Sequence, residues 1–145
     1  ENTNKKEKLD AIFSGLSNSP IPVIIPLHPR TKKKVKEYDI QIREPLRIIN
    51  PVGYLDMITL QKNANKIFTD SGGVQKEAYF HDTPCVILRK ETEWVELVAN
   101  RQECLVGTDE KMIKKMLTSK SSSIPNKTLF GDGNACEKIV ESFLV

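Results

Sequence analysis

Asp70-Ser71-Gly72-Gly73, with Glu77 four residues beyond, is the stretch of this sequence whose residue types best suit chemistry. Two glycines between an apolar run and a helix-like pattern let a backbone come close to a ligand. The free N–H groups and positive pole of that helix favour a phosphate or diphosphate. Ser71 adds a hydroxyl donor. Glu77 lies one turn into the helix, and a carboxylate beside a diphosphate would be repelled. It is better placed on a neighbouring diol, where its oxygens accept hydroxyl protons. The same residues also suit a tight turn with a capped helix and a surface glutamate, and spacing alone leaves both readings open. His28, in Leu27-His28-Pro29-Arg30, ends an apolar run and would stand at the edge of a cleft at the strand ends, though a histidine hydrogen-bonded within its own loop is the plainer reading. His81 reads as a helix-end residue near the negative pole, with no function.

The elements that must position these groups alternate. Leu9, Ile12, Phe13 and Leu16 mark an amphipathic helix over 4–17, weakened slightly by Gly15. Val23-Ile24-Ile25-Pro26-Leu27 reads as a buried strand with Pro26 near its end, since proline cannot donate to a ladder. Further strands are predicted at 46–50, 66–69, 85–88 and 104–106. Helices are predicted at 31–38, 56–64 (Met57, Leu60 and Ala64 on one face), 74–80 and 95–99. A helix capped by Thr108-Asp109 carries Met112, Ile113, Met116 and Leu117. Residues 119–127 read as a polar linker. A last helix over 134–143 is expected to turn Ala135, Ile139, Val140 and Phe143 inward. Short strands joined by helical crossovers predict an α/β fold: a Rossmann-like parallel sheet with helices on both faces. Ligands of such sheets bind at the C-terminal strand ends, where Ser71 falls.

With 145 residues there is room for one domain, and 39% hydrophobic with 28% charged residues excludes a disordered chain. The net charge of +3 is too small for a nucleic-acid binder, and Lys32, Lys33, Lys34 and Lys36 read as a solvated helix face. No apolar run is long enough for a membrane span, so neither nucleic acid nor membrane is expected as a partner. Cys85, Cys104 and Cys136 show no metal-site spacing; Cys85 and Cys104 are expected to be buried reduced thiols, as in a cytoplasmic protein.

Asp70-Ser71-Gly72-Gly73-Val74-Gln75-Lys76-Glu77-Ala78 resembles the DSGG(I/V)QxEA motif of the non-hydrolysing UDP-N-acetylglucosamine 2-epimerases. Other stretches match in order. Residues 48–55, IINPVGYL, are similar to the family's segment over the base. Residues 84–88 with Glu91-Thr92-Glu93 are similar to PCxxLR…TE. Leu105-Val106-Gly107-Thr108-Asp109 matches LVGTD, Gly131-Asp132-Gly133-Asn134-Ala135 matches GDGxA, and Glu1-Asn2 looks like the tail of HRxEN. The resemblance implies the C-terminal half of a glycosyltransferase-B fold. It implies a reaction that eliminates UDP from C1–C2 and adds it back with C2 inverted, and it implies no metal or redox cofactor. Ser71, Gly72 and Gly73 would hold the diphosphate and Glu77 the ribose. The backbone near Val52 would meet the uracil, with Met57 lining the same pocket in place of a family phenylalanine. His28 stands near a family histidine of an activating substrate site.

The family's Thr-Glu-Arg-Pro-Glu is here Thr92-Glu93-Trp94-Val95-Glu96, so Trp94 replaces an arginine. That variant looks like the branch epimerising UDP-2,3-diacetamido-2,3-dideoxy-glucuronate, in which Arg89, Lys90 and Arg101 would be candidates to meet the uronate; Trp94 could equally be a packing residue. The chain opens on Glu1, not methionine. It is expected to be the UDP-binding second domain, residues 1–145, of a longer homodimeric enzyme, without that domain's first strand. The catalytic carboxylates would then lie in a preceding domain. A UDP-sugar 2-epimerase is the leading reading, of UDP-N-acetylglucosamine/UDP-N-acetylmannosamine type or the diacetamido-uronate type. A glycosyltransferase of the same fold is the alternative.

Overall fold

A computed structural model describes residues 2–99, 103–120 and 128–144. After a short 3-10 turn, Asn2–Asn4, helices and strands alternate as far as α6: α1 (Lys6–Leu16), β1 (Val23–Pro26), α2 (Pro29–Glu37), β2 (Leu46–Ile49), α3 (Tyr54–Lys62), β3 (Ile67–Thr69), α4 (Gly72–Phe80), β4 (Cys85–Ile87), α5 (Val95–Ala99), β5 (Glu103–Leu105) and α6 (Glu110–Thr118), with a last described helix, α7 (Ala135–Ser142), after it. All strand pairs are parallel, as helical crossovers require. Proline closes β1, the place where a missing N–H costs least.

Among the described residues the strands form two hydrogen-bonded groups rather than one continuous sheet: β1-β2, and β3-β4-β5. One core nonetheless runs beneath both. Leu9, Ile12, Phe13 and Leu16 of α1 cluster with Leu46, Val86, Leu88, Val106 and Ile113, with Val23, Ile25 and Phe68 packed against them. In β4 the alternation splits. Val86 joins this cluster, whereas Cys85 and Ile87 belong to the opposite face, where Ala78 of α4 and Leu97 of α5 are also fully buried. Helices thus cover both faces, and β4 is dry on each side.

Several local expectations change. Gly15 sits where α1 crosses α6; a Cβ there would stand 2.8 Å from Cγ2 of Ile113, so the glycine permits the close approach. In α3 the inward residue is Gln61, while Met57 and Leu60 are half-buried and Ala64 lies beyond the helix. The last helix does not turn its apolar residues inward. Ala135 is exposed, and Ile139, Val140 and Phe143 are 56%, 58% and 82% exposed, because no other described element covers them. Asp109 caps α6 through Met112 N–H as its sequence predicts. Cys85 is buried, Cys104 only partly so and Cys136 exposed; none of the three is in a disulfide. The lysines of α2 are largely solvated, with Lys34 paired to Glu37 at 3.0 Å. Residues 121–127 of the predicted linker lie outside the described residues.

Candidate functional site

The chain leaves β3 at Thr69 and enters α4 at Gly72, so the turn stands at the C-terminal edge of the parallel strands. Thr69 Oγ1 accepts the Ser71 N–H at 3.1 Å and folds the turn back on its strand. Gly72 and Gly73 form the first turn of α4 instead of preceding it, and Ser71 is the N-cap. The Ser71 side chain makes no capping bond, so its hydroxyl is not committed to the first N–H groups, which point out of the helix end. Ser71 and Gly73 are exposed, and Glu77 is half-buried one turn further in. An anion at the helix end with a hydroxyl-bearing group beside Glu77 fits this layout.

The surroundings of the turn are more specific than the sequence suggested. Trp94 is half-buried; its Nε1–H donates to Gly72 O at 2.9 Å, and its N–H donates to Thr92 Oγ1 at 3.1 Å. The Lys76 ammonium lies 4.1 Å from the centroid of the indole and 4.5 Å from that of Phe130, which meets Trp94 edge-on. Trp94 therefore braces the glycine turn through its indole N–H. Glu93 lies against Gly72, so closely that a Cβ on Gly72 would land on its carboxylate. Glu93 is held there by Arg89, at 2.9 Å. Arg89 is thus engaged within the loop. Lys90 is exposed and lines an open groove with Arg89, Leu105, Val106, Gly107, Thr108 and Asp109, at the C-terminal ends of β4 and β5. Arg101 lies outside the described residues.

Val52 is half-buried just before α3, and Met57 is half-buried within α3, whose C-terminal part packs on α4. His28 is not brought to the turn by any described contact. It is the N-cap of α2, with Nδ1 accepting the Arg30 N–H at 3.2 Å, which is the loop role its sequence allowed. His81 is the C-cap of α4, as expected.

Three polar residues escaped the sequence reading as members of the site. Asn2, buried, donates from Nδ2 to Leu88 O at 2.6 Å and to Asp70 Oδ2 at 3.3 Å, tying the chain's start to the ends of β3 and β4. Gln75, fully buried, accepts from Thr92 Oγ1 at 2.5 Å, linking α4 to the Trp94 loop. Gln61, also buried, donates from Nε2 to Glu77 Oε2 at 2.6 Å. The available signal for Gln61 was its place four residues after Met57, a polar side chain on an apolar helix face.

A family model described as UDP-N-acetylglucosamine 2-epimerase matches residues 1–144. A UDP-N-acetylglucosamine 2-epimerase homolog of Methanococcus maripaludis is 47% identical over 97% of this chain. The UDP-2,3-diacetamido-2,3-dideoxy-D-glucuronate 2-epimerase of Pseudomonas aeruginosa is 41% identical over the same share. In both cases the chain spans 41% of the relative's length. The UDP-GlcNAc 2-epimerase of Methanocaldococcus jannaschii, solved in complex with UDP-GlcNAc and UDP, superposes with a TM-score of 0.83 at 37% identity; the match covers 99% of this chain and 42% of that one. With the motif, the α/β fold and the glycine turn all in agreement, this chain belongs to the UDP-N-acetylglucosamine 2-epimerase family.

Proposed function

We propose that the protein carrying this chain is a UDP-sugar 2-epimerase, and that residues 1–145 supply its UDP-binding half. The observation that carries the reading is the turn of Ser71, Gly72 and Gly73 at the N-terminus of α4, with Glu77 one turn in. Its support is the similar fold of a relative solved with UDP-GlcNAc and UDP. In this reading the diphosphate meets the Ser71 hydroxyl and the first N–H groups of α4, the ribose meets Glu77, and the uracil lies by Val52 and Met57. The reaction removes the C2 proton and breaks the C1–O bond, giving UDP and a C1=C2 glycal. UDP then returns to C1 and a proton to C2 on the opposite face. Holding UDP between the two halves is what this chain contributes, and the proton-transfer carboxylates belong to a preceding domain. We also read the domain as completed by one parallel strand between β1 and β3, each of which is paired on one side only among the described residues. Asn2 enters at the strands' C-terminal ends, where such a strand would deliver it. The reading extends to a cytoplasmic homodimer serving cell-surface polysaccharide synthesis.

The test is the full-length protein with UDP-N-acetylglucosamine alone in D2O. Conversion to UDP-N-acetylmannosamine with deuterium at C2 is the expected outcome. A requirement for an acceptor would indicate a glycosyltransferase and overturn the reading. A second substrate, UDP-2,3-diacetamido-2,3-dideoxy-glucuronate, is favoured by one observation, the Trp94 that stands where the family commonly has arginine. Of the two candidates among the described residues, the exposed Lys90 rather than the engaged Arg89 would meet the uronate. A higher kcat/KM for that substrate than for UDP-N-acetylglucosamine assigns the chain to that branch.

A further inference from the structure

Gln61 is 4% exposed, yet its amide is only half satisfied. Nε2 donates to Glu77 Oε2 at 2.6 Å, a charge-assisted bond at the short end of the range. Oε1 is buried with no partner. Turning the amide over would not help, because the oxygen would then face the carboxylate. The residue's place is fixed independently: Thr83, itself buried, donates from Oγ1 to Gln61 O at 3.0 Å and pins the end of α3 to the turn that follows α4. A buried polar atom without a partner costs stability, and a methionine or leucine would fill the same space without that cost. The single described bond that the Gln61 side chain gains is the one to Glu77.

We propose that Gln61 is the positioning residue of the ribose-binding carboxylate: it holds one oxygen of Glu77 so that the other faces the ribose diol. This rests on the assignment of Glu77 to the ribose. A carboxylate oxygen has two acceptor sites, so Oε2 keeps one site beyond the Gln61 bond and Oε1 keeps both. Without the amide, Glu77 is free to change rotamer, and that freedom must be lost again when the diol binds. Gln61 acts through Glu77 and touches no ligand itself.

The experiment is calorimetric titration of the full-length protein with UDP and with 2′,3′-dideoxy-UDP, using wild type, Gln61→Met, Glu77→Ala and the double variant. Methionine matches the buried volume, and Oε1 has no bond to lose, so folding is retained. The expected result is a UDP affinity lowered about threefold to tenfold by Gln61→Met, with the dideoxy analogue unaffected and no further loss when Glu77 is already alanine. A second variant, Gln61→Glu, sets carboxylate against carboxylate and should weaken UDP more than methionine does. If Gln61→Met weakens both ligands equally, or leaves UDP unchanged while Glu77→Ala weakens it, the positioning role is wrong and the ribose assignment stands. If Glu77→Ala leaves UDP unaffected, both fall.

Discussion

Gly72 and Gly73 are neighbours in the same helical turn but have different reasons to be glycine. A Cβ on Gly73 meets only Ser71 Oγ, at 3.9 Å, whereas a Cβ on Gly72 displaces the Glu93 carboxylate that Arg89 holds. Gly73→Ala is therefore expected to leave the folded structure intact and to read out only the approach of a ligand. Gly72→Ala should also release Glu93 and loosen the Trp94 bond. Thermal unfolding combined with UDP titration separates the two: affinity loss without a stability change for Gly73→Ala, and both effects for Gly72→Ala. Glu77→Ala should cost about 1 to 3 kcal/mol of UDP binding, the usual loss for a hydrogen bond to a charged group; unchanged affinity in titration would make the turn purely structural. Trp94→Phe removes the indole donor to Gly72 O, and an effect of about 1 kcal/mol on stability is expected from denaturant melts. The turn itself was legible in the sequence because glycine pairs and a carboxylate one helical turn later are local patterns. Gln75–Thr92 and Gln61–Glu77 were not, since those partners lie 17 and 16 residues apart and meet only through packing.

At the scale of elements, the contact of α1 with α6 shows where local rules fail. Helix propensity favours alanine over glycine by about 1 kcal/mol in a helix interior. At Gly15 the added methyl would press on Ile113, which is fully buried and has nowhere to move. Overpacking costs about 1 to 3 kcal/mol. Gly15→Ala is thus expected to lower the urea midpoint, and a stabilised protein would show that α1 can shift away. The far end of α6 is closed by Lys66, whose ammonium donates to Met116 O, Ser119 O and Ser119 Oγ. This places a cation on the helix's negative pole. Burial pushes the Lys66 amine below its usual value. Between that lowered value and 10.5 the unfolded chain binds more of this proton than the folded one, so this group's contribution to stability rises with pH there. Comparing denaturant melts of wild type and Lys66→Met across alkaline pH isolates it. The order of strands and helices was readable from period and length, and most boundaries fell within two residues. The outward face of α7 was not readable, because the amphipathic pattern says that a face is apolar and not whether anything covers it.

For the whole molecule, the division of the strands makes the most exacting prediction. In a parallel ladder alternate residues address alternate neighbours. Val23 N–H donates to Pro45 O and Leu27 N–H to Ile49 O, so the residues of β1 in that register face β2. Ile24 N–H turns the other way, and Pro26 has no N–H. In β3, Ile67 N–H donates to Pro84 O and Thr69 O accepts from Leu88 N–H, which leaves Phe68 N–H on the side away from β4. Ile24 and Phe68 are the amides that a strand between β1 and β3 would engage. Chain 1–145 by itself should exchange these two amides rapidly, and the full-length protein should protect them at least about tenfold more, while Ile25 and Val86 differ far less. The same comparison bears on activity. Chain 1–145 is expected to bind UDP weakly and to epimerise nothing, since it spans 41% of the two relatives described above and carries the turn proposed to bind the nucleotide without the proton-transfer groups assigned to the other half. Equal exchange of Ile24 and Phe68 in the two proteins would mean that no strand lies between β1 and β3. Turnover of a UDP-sugar by residues 1–145 alone would place the catalytic groups within this chain.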